Sequence, residues 1–151
     1  MIRRILIAGG GTGGHIYPGI AVAEEVLARN PRAQVTFVGT TYGLEGRIVP
    51  ELGYSLQTIR ASRIKGGGLG ARLIGVLKVP FAMLQSWRIL WRTRPQVVLG
   101  VGGYASGPAL LAAWLGCYRV AIQEQNAVPG MTNRVLGKLA RAVYVGFTAA
   151  A

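Results

Sequence analysis

The sequence predicts an α/β domain built on a doubly wound parallel sheet, and two features of the chain carry that expectation. Short β-branched runs alternate with longer segments of helical periodicity across 151 residues, and three of the runs end in glycine- or amide-rich turns. With 51% hydrophobic residues and a mean hydropathy of +0.38, the chain makes one ordinary domain, residues 1–151, with a sizeable core.

Taken in order, strands are expected at 2–8 (IRRILIA), 33–39 (AQVTFVG), 54–60 (YSLQTIR), 96–101 (QVVLGV), 119–124 (RVAIQE) and 142–146 (AVYVG). Between the first two, 18–30 reads as a helix that opens on Pro18, a residue suited to a first turn, and stops at Asn30-Pro31. Further helices are expected at 69–93, 107–115 and 130–141, with Pro80 dividing the first of them in two. This order implies right-handed βαβ units and a sheet covered on both faces. Residues 95–118 carry no charge and are long enough to span a bilayer, but the turn sequence GGYASGP at their centre splits them into a strand and a short helix. The opening apolar run is too short for a signal peptide, so the protein is expected to stay unexported. Cys117 has no partner cysteine and is expected to be a buried small hydrophobe in a reduced compartment.

The charge is lopsided: 17 Lys+Arg stand against 5 Asp+Glu, none of them aspartate, for a net charge of +12. No acidic residue falls between Glu51 and Glu124. Such a field asks for an anionic partner or surface.

Three strand ends should converge, because ligands of open parallel sheets sit beyond the carboxyl ends of the strands near the switch point. The first carries Gly9-x-Gly11-x-x-Gly14, a loop whose bare backbone can approach a phosphate ahead of a helix N-terminus. The acid expected at the end of the second strand to hold a ribose is replaced by VGTTYG, which argues against a nicotinamide or flavin. The second strand end is GVGGYASGP, where Gly102 and Gly103 repeat the glycine turn and the Tyr104 and Ser106 hydroxyls could face a ligand; Ser106 could equally cap the helix. Together the two loops could hold a diphosphate between two helix N-termini. The third is QEQNAVPG, where Glu124 needs donors or a ligand if buried; it is either part of the site or a structural carboxylate tied to Arg119 or backbone amides.

His15 is the only histidine of the chain. At a helix start its imidazole is held neutral, which makes it a candidate general base toward a hydroxyl. No metal site is expected, since no second ligand set accompanies it. The segment 69–95 mixes Leu73, Leu77, Phe81, Trp87 and Trp91 with Arg72 and Arg88, a composition suited to the interface of an anionic bilayer or to a core helix with a basic solvated face.

The motifs GGTGGHIYPG, VGTTYGLEGRIVPELGY, VVLGVGGYASGPALLAAWLG and QEQNAVPGMTNRVLGKLA, taken together, resemble the N-terminal half of the bacterial MurG family over essentially the whole chain. The resemblance implies a Rossmann-like domain of a two-domain GT-B glycosyltransferase, with no metal or other cofactor. The implied reaction is inverting transfer of N-acetylglucosamine from UDP-N-acetylglucosamine to the muramic acid 4-hydroxyl of lipid I, giving lipid II. By the same resemblance, Thr12, Gly13, Gly14 and Asn126 would touch the donor. Gly13-Gly14 and Gly102-Gly103 would hold the acceptor diphosphate, with His15 or Glu124 as base and Tyr104, Ser106 and Gln125 beside the acceptor. The segment from Arg72 to Trp91, with Trp114 and Lys138, would dock on the cytoplasmic face of the cell membrane as a peripheral contact. The family's C-terminal donor-binding domain has no counterpart in these residues, so the chain is expected to be inactive alone. A basic Rossmann-like module that binds a nucleotide or nucleic acid without catalysis competes with this reading. The aromatic residues are not interleaved with the basic ones as stacking platforms, and no nucleic-acid motif is present.

Overall fold

The computed structural model describes residues 2–61 and 69–148, apart from the side chains of 69–78. Six strands, β1 (Arg4–Gly9), β2 (Gln34–Gly39), β3 (Ser55–Thr58), β4 (Val97–Gly102), β5 (Val120–Glu124) and β6 (Ala142–Val145), form one sheet in the order β3-β2-β1-β4-β5-β6. All pairings in it are parallel. Among the described residues the helices are α1 (Gly13–Arg29), α2 (Glu45–Glu51), α3 (Leu69–Thr93), α4 (Ser106–Leu115) and α5 (Met131–Leu136). The strand order reverses between β1 and β4, which is the switch point of the doubly wound fold.

The period-two alternation of β1 divides the core into two layers. Ile5 and Ile7 pack with Phe37, Leu99 and Val101 against Ile16, Ile20 and Ala23 of α1 and Val49 of α2. Leu6 and Ala8 face the other way, with Val38, Val98 and Ile122, against Ala82 and Leu90 of α3, Leu110 and Ala113 of α4 and Leu136 of α5.

Four expectations are corrected. Helix α1 begins at Gly13, not Pro18, so His15 lies in its first turn and Pro18 lies inside it. Burial of Ile16 and Gly19 on either side of Pro18 keeps this turn helical. Pro80 does not divide α3, which runs unbroken from Leu69 to Thr93. A helix-interior proline costs about 3 kcal/mol; burying Ile89 and Leu90 on the same helix returns about 1.5–3 kcal/mol each, enough to hold it together. Cys117 is exposed, because it forms the left-handed turn (φ 58°) that follows α4. Finally, α2 fills a stretch with no expected element, and it delivers Glu45 to the site.

Candidate functional site

The loops after β1 and β4 meet at the switch point and interlock. The Gly10 amide donates to the Gly102 carbonyl at 3.3 Å. A Cβ on Gly103 would run into the Gly10 carbonyl, and one on Gly102 would stand 2.6 Å from His15 Cδ2 and 2.9 Å from its Nε2. Gly102 also has φ +95°, a conformation that side chains disfavour. Bare backbone is therefore what allows the second loop to nest in the first with the imidazole lying over it.

Beneath the first loop is a carboxylate that the sequence reading missed. Glu45 is fully buried. Its Oε2 accepts from the Gly11 amide at 2.7 Å, and its Oε1 accepts from the Thr40 amide at 2.9 Å and the Thr40 hydroxyl at 2.8 Å. The acid sought at the end of β2 thus exists, displaced into α2. It is committed to the loop, not offered to a ribose. The signal available in the sequence was that Glu45 is the only acid between Glu25 and Glu51 and follows a glycine-bounded turn.

With the Gly11 amide occupied, the end open to an anion is the start of α1. Its N-cap, Thr12, has extended backbone but makes no side-chain cap, because its Oγ1 is 2.9 Å from His15 Nδ1. The first-turn amides at Gly13 and Gly14 therefore keep their positive end uncapped by any side chain. Helix α4 likewise starts beside the loops with no side-chain cap. Ser106 is buried and its hydroxyl donates to the Gly103 carbonyl at 2.9 Å. It supports the second loop from within and does not face the cleft, which corrects the expectation of a ligand-facing hydroxyl.

Burial lowers the His15 pKa below 6.5, and the charges of Glu124 and Glu45 only partly oppose this. The ring is therefore neutral at pH 7. Nδ1 shares a hydrogen bond with Thr12 Oγ1, and in the tautomer that carries its proton on Nδ1 the lone pair is on Nε2.

Glu124 is 2% exposed and surrounded by donors. Oε1 accepts from the Asn126 amide and Nδ2, both at 2.9 Å, and Oε2 accepts from the Gly130 amide at 2.9 Å and Asn133 Nδ2 at 3.0 Å. Burial alone would raise its pKa, but these four hydrogen bonds outweigh it and hold the carboxyl below its ordinary value. The carboxylate thereby shapes the loop from Asn126 to Gly130 and orients the exposed Asn126 side chain. Arg119, weighed as its partner, is not among these donors. Gln125 bonds the Val101 carbonyl through Nε2 at 3.4 Å, and its buried Oε1 has no partner.

Tyr104 covers the first loop, its hydroxyl 2.6 Å from where a Gly11 Cβ would stand. Its ring stacks on Tyr42, centroids 6.2 Å apart and planes 14° apart, which brings in a second residue absent from the sequence reading. Among the described residues no cluster of three His, Cys, Asp or Glu could hold a metal.

On α3 the solvent side is apolar. Phe81, Leu84, Trp87 and Trp91 are 46–67% exposed, and Arg88 and Arg92 stand on the same side. Trp114 of α4 is exposed as well, and so is Lys138 just beyond α5. Arg72, Leu73 and Leu77 lie outside the described side chains. No described helix is long and apolar enough to cross a membrane.

The profile of the glycosyltransferase family 28 N-terminal domain matches residues 5–145. The UDP-N-acetylglucosamine--N-acetylmuramyl-(pentapeptide) pyrophosphoryl-undecaprenol N-acetylglucosamine transferase of Anaeromyxobacter sp. (strain K) is 53% identical over 98% of this chain and 39% of its own length. The protein of the same name from Myxococcus xanthus (strain DK1622) is 53% identical over 97% of this chain and 38% of its own. The chain thus spans about two-fifths of the length of these relatives. Among solved structures, Acinetobacter baumannii MurG superposes with a TM-score of 0.86 at 32% identity, over 99% of this chain and 43% of that one. The UDP-GlcNAc 2-epimerase from Methanocaldococcus jannaschii, with a TM-score of 0.57 at 14% identity over 94% of this chain and 38% of that one, shares the fold alone. Fold by itself therefore leaves the chemistry open.

Proposed function

The chain belongs to glycosyltransferase family 28, and on that premise we propose that it is the acceptor-binding part of a transferase that makes lipid II. The donor would be UDP-N-acetylglucosamine and the acceptor lipid I. The observation that carries this reading is the interlock of the two glycine loops, with the His15 imidazole seated against Gly102 between two helix N-termini that no side chain caps.

In this reading the acceptor diphosphate lies against the amides of Gly13, Gly14 and Gly103, where two helix ends supply partial positive charge. The muramic acid 4-hydroxyl comes within reach of His15 Nε2. As the hydroxyl oxygen attacks the anomeric carbon of the donor sugar, Nε2 takes its proton and the bond to UDP breaks. UDP leaves with the electron pair, and the configuration inverts. A neutral imidazole suits this step, and the lowered pKa supports it. Glu124 acts as a positioning residue: four donors occupy its oxygens and leave it a poor base, while it presents Asn126 toward the donor side. Tyr104 and Gln125 flank the acceptor, and Thr12 orients His15.

An acceptor with a polyprenyl tail stays in the bilayer, so the domain must meet a membrane. The exposed face of α3, with Trp87, Trp91 and Arg88, supports peripheral docking on the cytoplasmic leaflet, and Trp114 and Lys138 would extend it. The test of the mechanism is turnover of labelled donor with lipid I in a protein of the relatives' full length. His15→Ala lowers the rate about 100-fold or more, whereas an unchanged rate removes His15 from the chemistry.

A further inference from the structure

The end of the sheet opposite the glycine loops carries a second charged surface. Arg32 precedes β2, Arg3 and Arg4 open β1, Arg94 precedes β4, Arg119 precedes β5 and Arg141 precedes β6. All six are exposed. Backbone hydrogen bonds fix their strands in register: Gln34 N donates to the Arg3 carbonyl at 2.8 Å, Gln96 N to that of Arg4 at 2.9 Å and Val98 N to that of Arg119 at 2.9 Å. With neighbouring strands about 4.8 Å apart, the row from β2 to β6 extends roughly 19 Å. Near β1 it opens into a groove of about 410 Å³ lined by Arg3, Arg4, Arg32, Gln34 and Gln96. Gln96 Oε1 accepts from the Arg3 amide at 2.6 Å and the Arg4 amide at 3.3 Å, which fixes the groove wall.

The row is not explained by local structure. Helix C-termini favour cations, and that accounts for Arg29 and Arg92 in the last turns of α1 and α3. Arg94, directly after α3, shares that helix end; the other five arginines stand beyond any helix's last turn. Among the described residues the ion pairs are Arg29–Glu25 and Arg47–Glu51, and neither involves the row. Arg94 even holds a left-handed backbone, φ 43°, which glycine would adopt with less strain.

We propose that this edge binds an acidic segment of a soluble partner protein, whose carboxylates pair with the arginine forks while its backbone meets Gln34 and Gln96. A lipid surface fits less well: the groove is lined by arginine and glutamine alone, with no apolar side chain to enter a bilayer interface. No aromatic side chain lines the groove, so it offers a nucleic acid no stacking platform.

The test is fluorescence titration of the full chain with a ten-residue glutamate peptide, a ten-nucleotide uridine RNA and phosphatidylglycerol vesicles. Substituting Arg3→Gln, Arg4→Gln and Arg32→Gln together is expected to weaken peptide binding about tenfold. The charge-matched set Arg47→Gln, Arg60→Gln and Arg134→Gln is expected to change it less than about twofold. Equal losses in the two sets would reduce the effect to net charge and overturn the proposal. So would a groove variant that loses RNA or vesicle binding more than peptide binding. Failure of the acceptor reading would instead show as intact peptide binding with no response of the glycine loops to a diphosphate.

Discussion

Glu45 and Gly11 lie 34 residues apart and are joined by a hydrogen bond of 2.7 Å from the Gly11 amide to the buried carboxylate. Two further donors, the amide and hydroxyl of Thr40, hold the same group. Glu45→Gln retains one acceptor oxygen for Thr40 but turns an amide toward the Gly11 N–H, leaving a buried donor facing a donor. The expected cost is about 1–3 kcal/mol, read as a lower urea midpoint at unchanged slope. An unchanged midpoint would mean that the carboxylate does not support the loop.

Gly102 and Gly53 separate backbone strain from contact. Both have positive φ, +95° and +79°, but only at Gly102 does a Cβ meet anything, the His15 ring, while Gly53 has open space. Gly53→Ala should cost about 1–2 kcal/mol from conformation alone. Gly102→Ala should cost more, and in the histidine NMR spectrum it should displace the His15 signals, which Gly53→Ala leaves in place. Equal costs with unmoved His15 signals would contradict the packing described.

The sign of the pH dependence follows from His15. Its folded-state pKa lies below the unfolded value of 6.5, so the unfolded chain binds the extra proton first as pH falls. Stability contributed by the neutral ring is complete above about 6.5 and declines as pH drops from there through the folded pKa. Glu124, whose pKa is also lowered, adds a second loss at more acidic pH, below its unfolded value of 4.5. Chemical denaturation across this range should show two descents. His15→Asn should flatten the upper one and leave the lower; a variant with the same upper descent would refute the assignment.

Trp87 and Trp91 are 47% and 67% exposed, so neither is needed to fill the core. Substituting both by alanine should leave the melting temperature within a few degrees. It should lower flotation with phosphatidylglycerol vesicles about tenfold or more, since each ring and its neighbouring cations act at the interface. Loss of stability with intact flotation would return α3 to the role of a packing helix.

Much of this was legible in the sequence because it rests on local chemistry. Strand alternation, glycine turns and the apolar α3 segment appear in the chain order itself, and all six strands form where β-branched runs stand. The beginning of α1 was not legible, since Pro18 looks like a first-turn residue and only the packing of Ile16 and Gly19 extends the helix before it. Neither was the role of Glu45. A carboxylate that serves a loop from another element is a tertiary relationship, and the motif that sought an acid at the end of β2 had no means of finding it in α2. Glu124 was identified as a residue in need of donors, but the donors themselves belong to the folded loop and to Asn133 of α5.

The central claim is that the two glycine loops form a diphosphate cradle beside His15. It is tested most directly by amide NMR of the ¹⁵N-labelled chain during titration with geranyl diphosphate, a soluble prenyl diphosphate. The predicted result is a saturable shift concentrated at Gly13, Gly14, His15, Gly103 and Tyr104, together with a change in the imidazole resonances. Shifts confined to the arginine edge at Arg3, Arg4 and Arg32, or none that saturate, would contradict it.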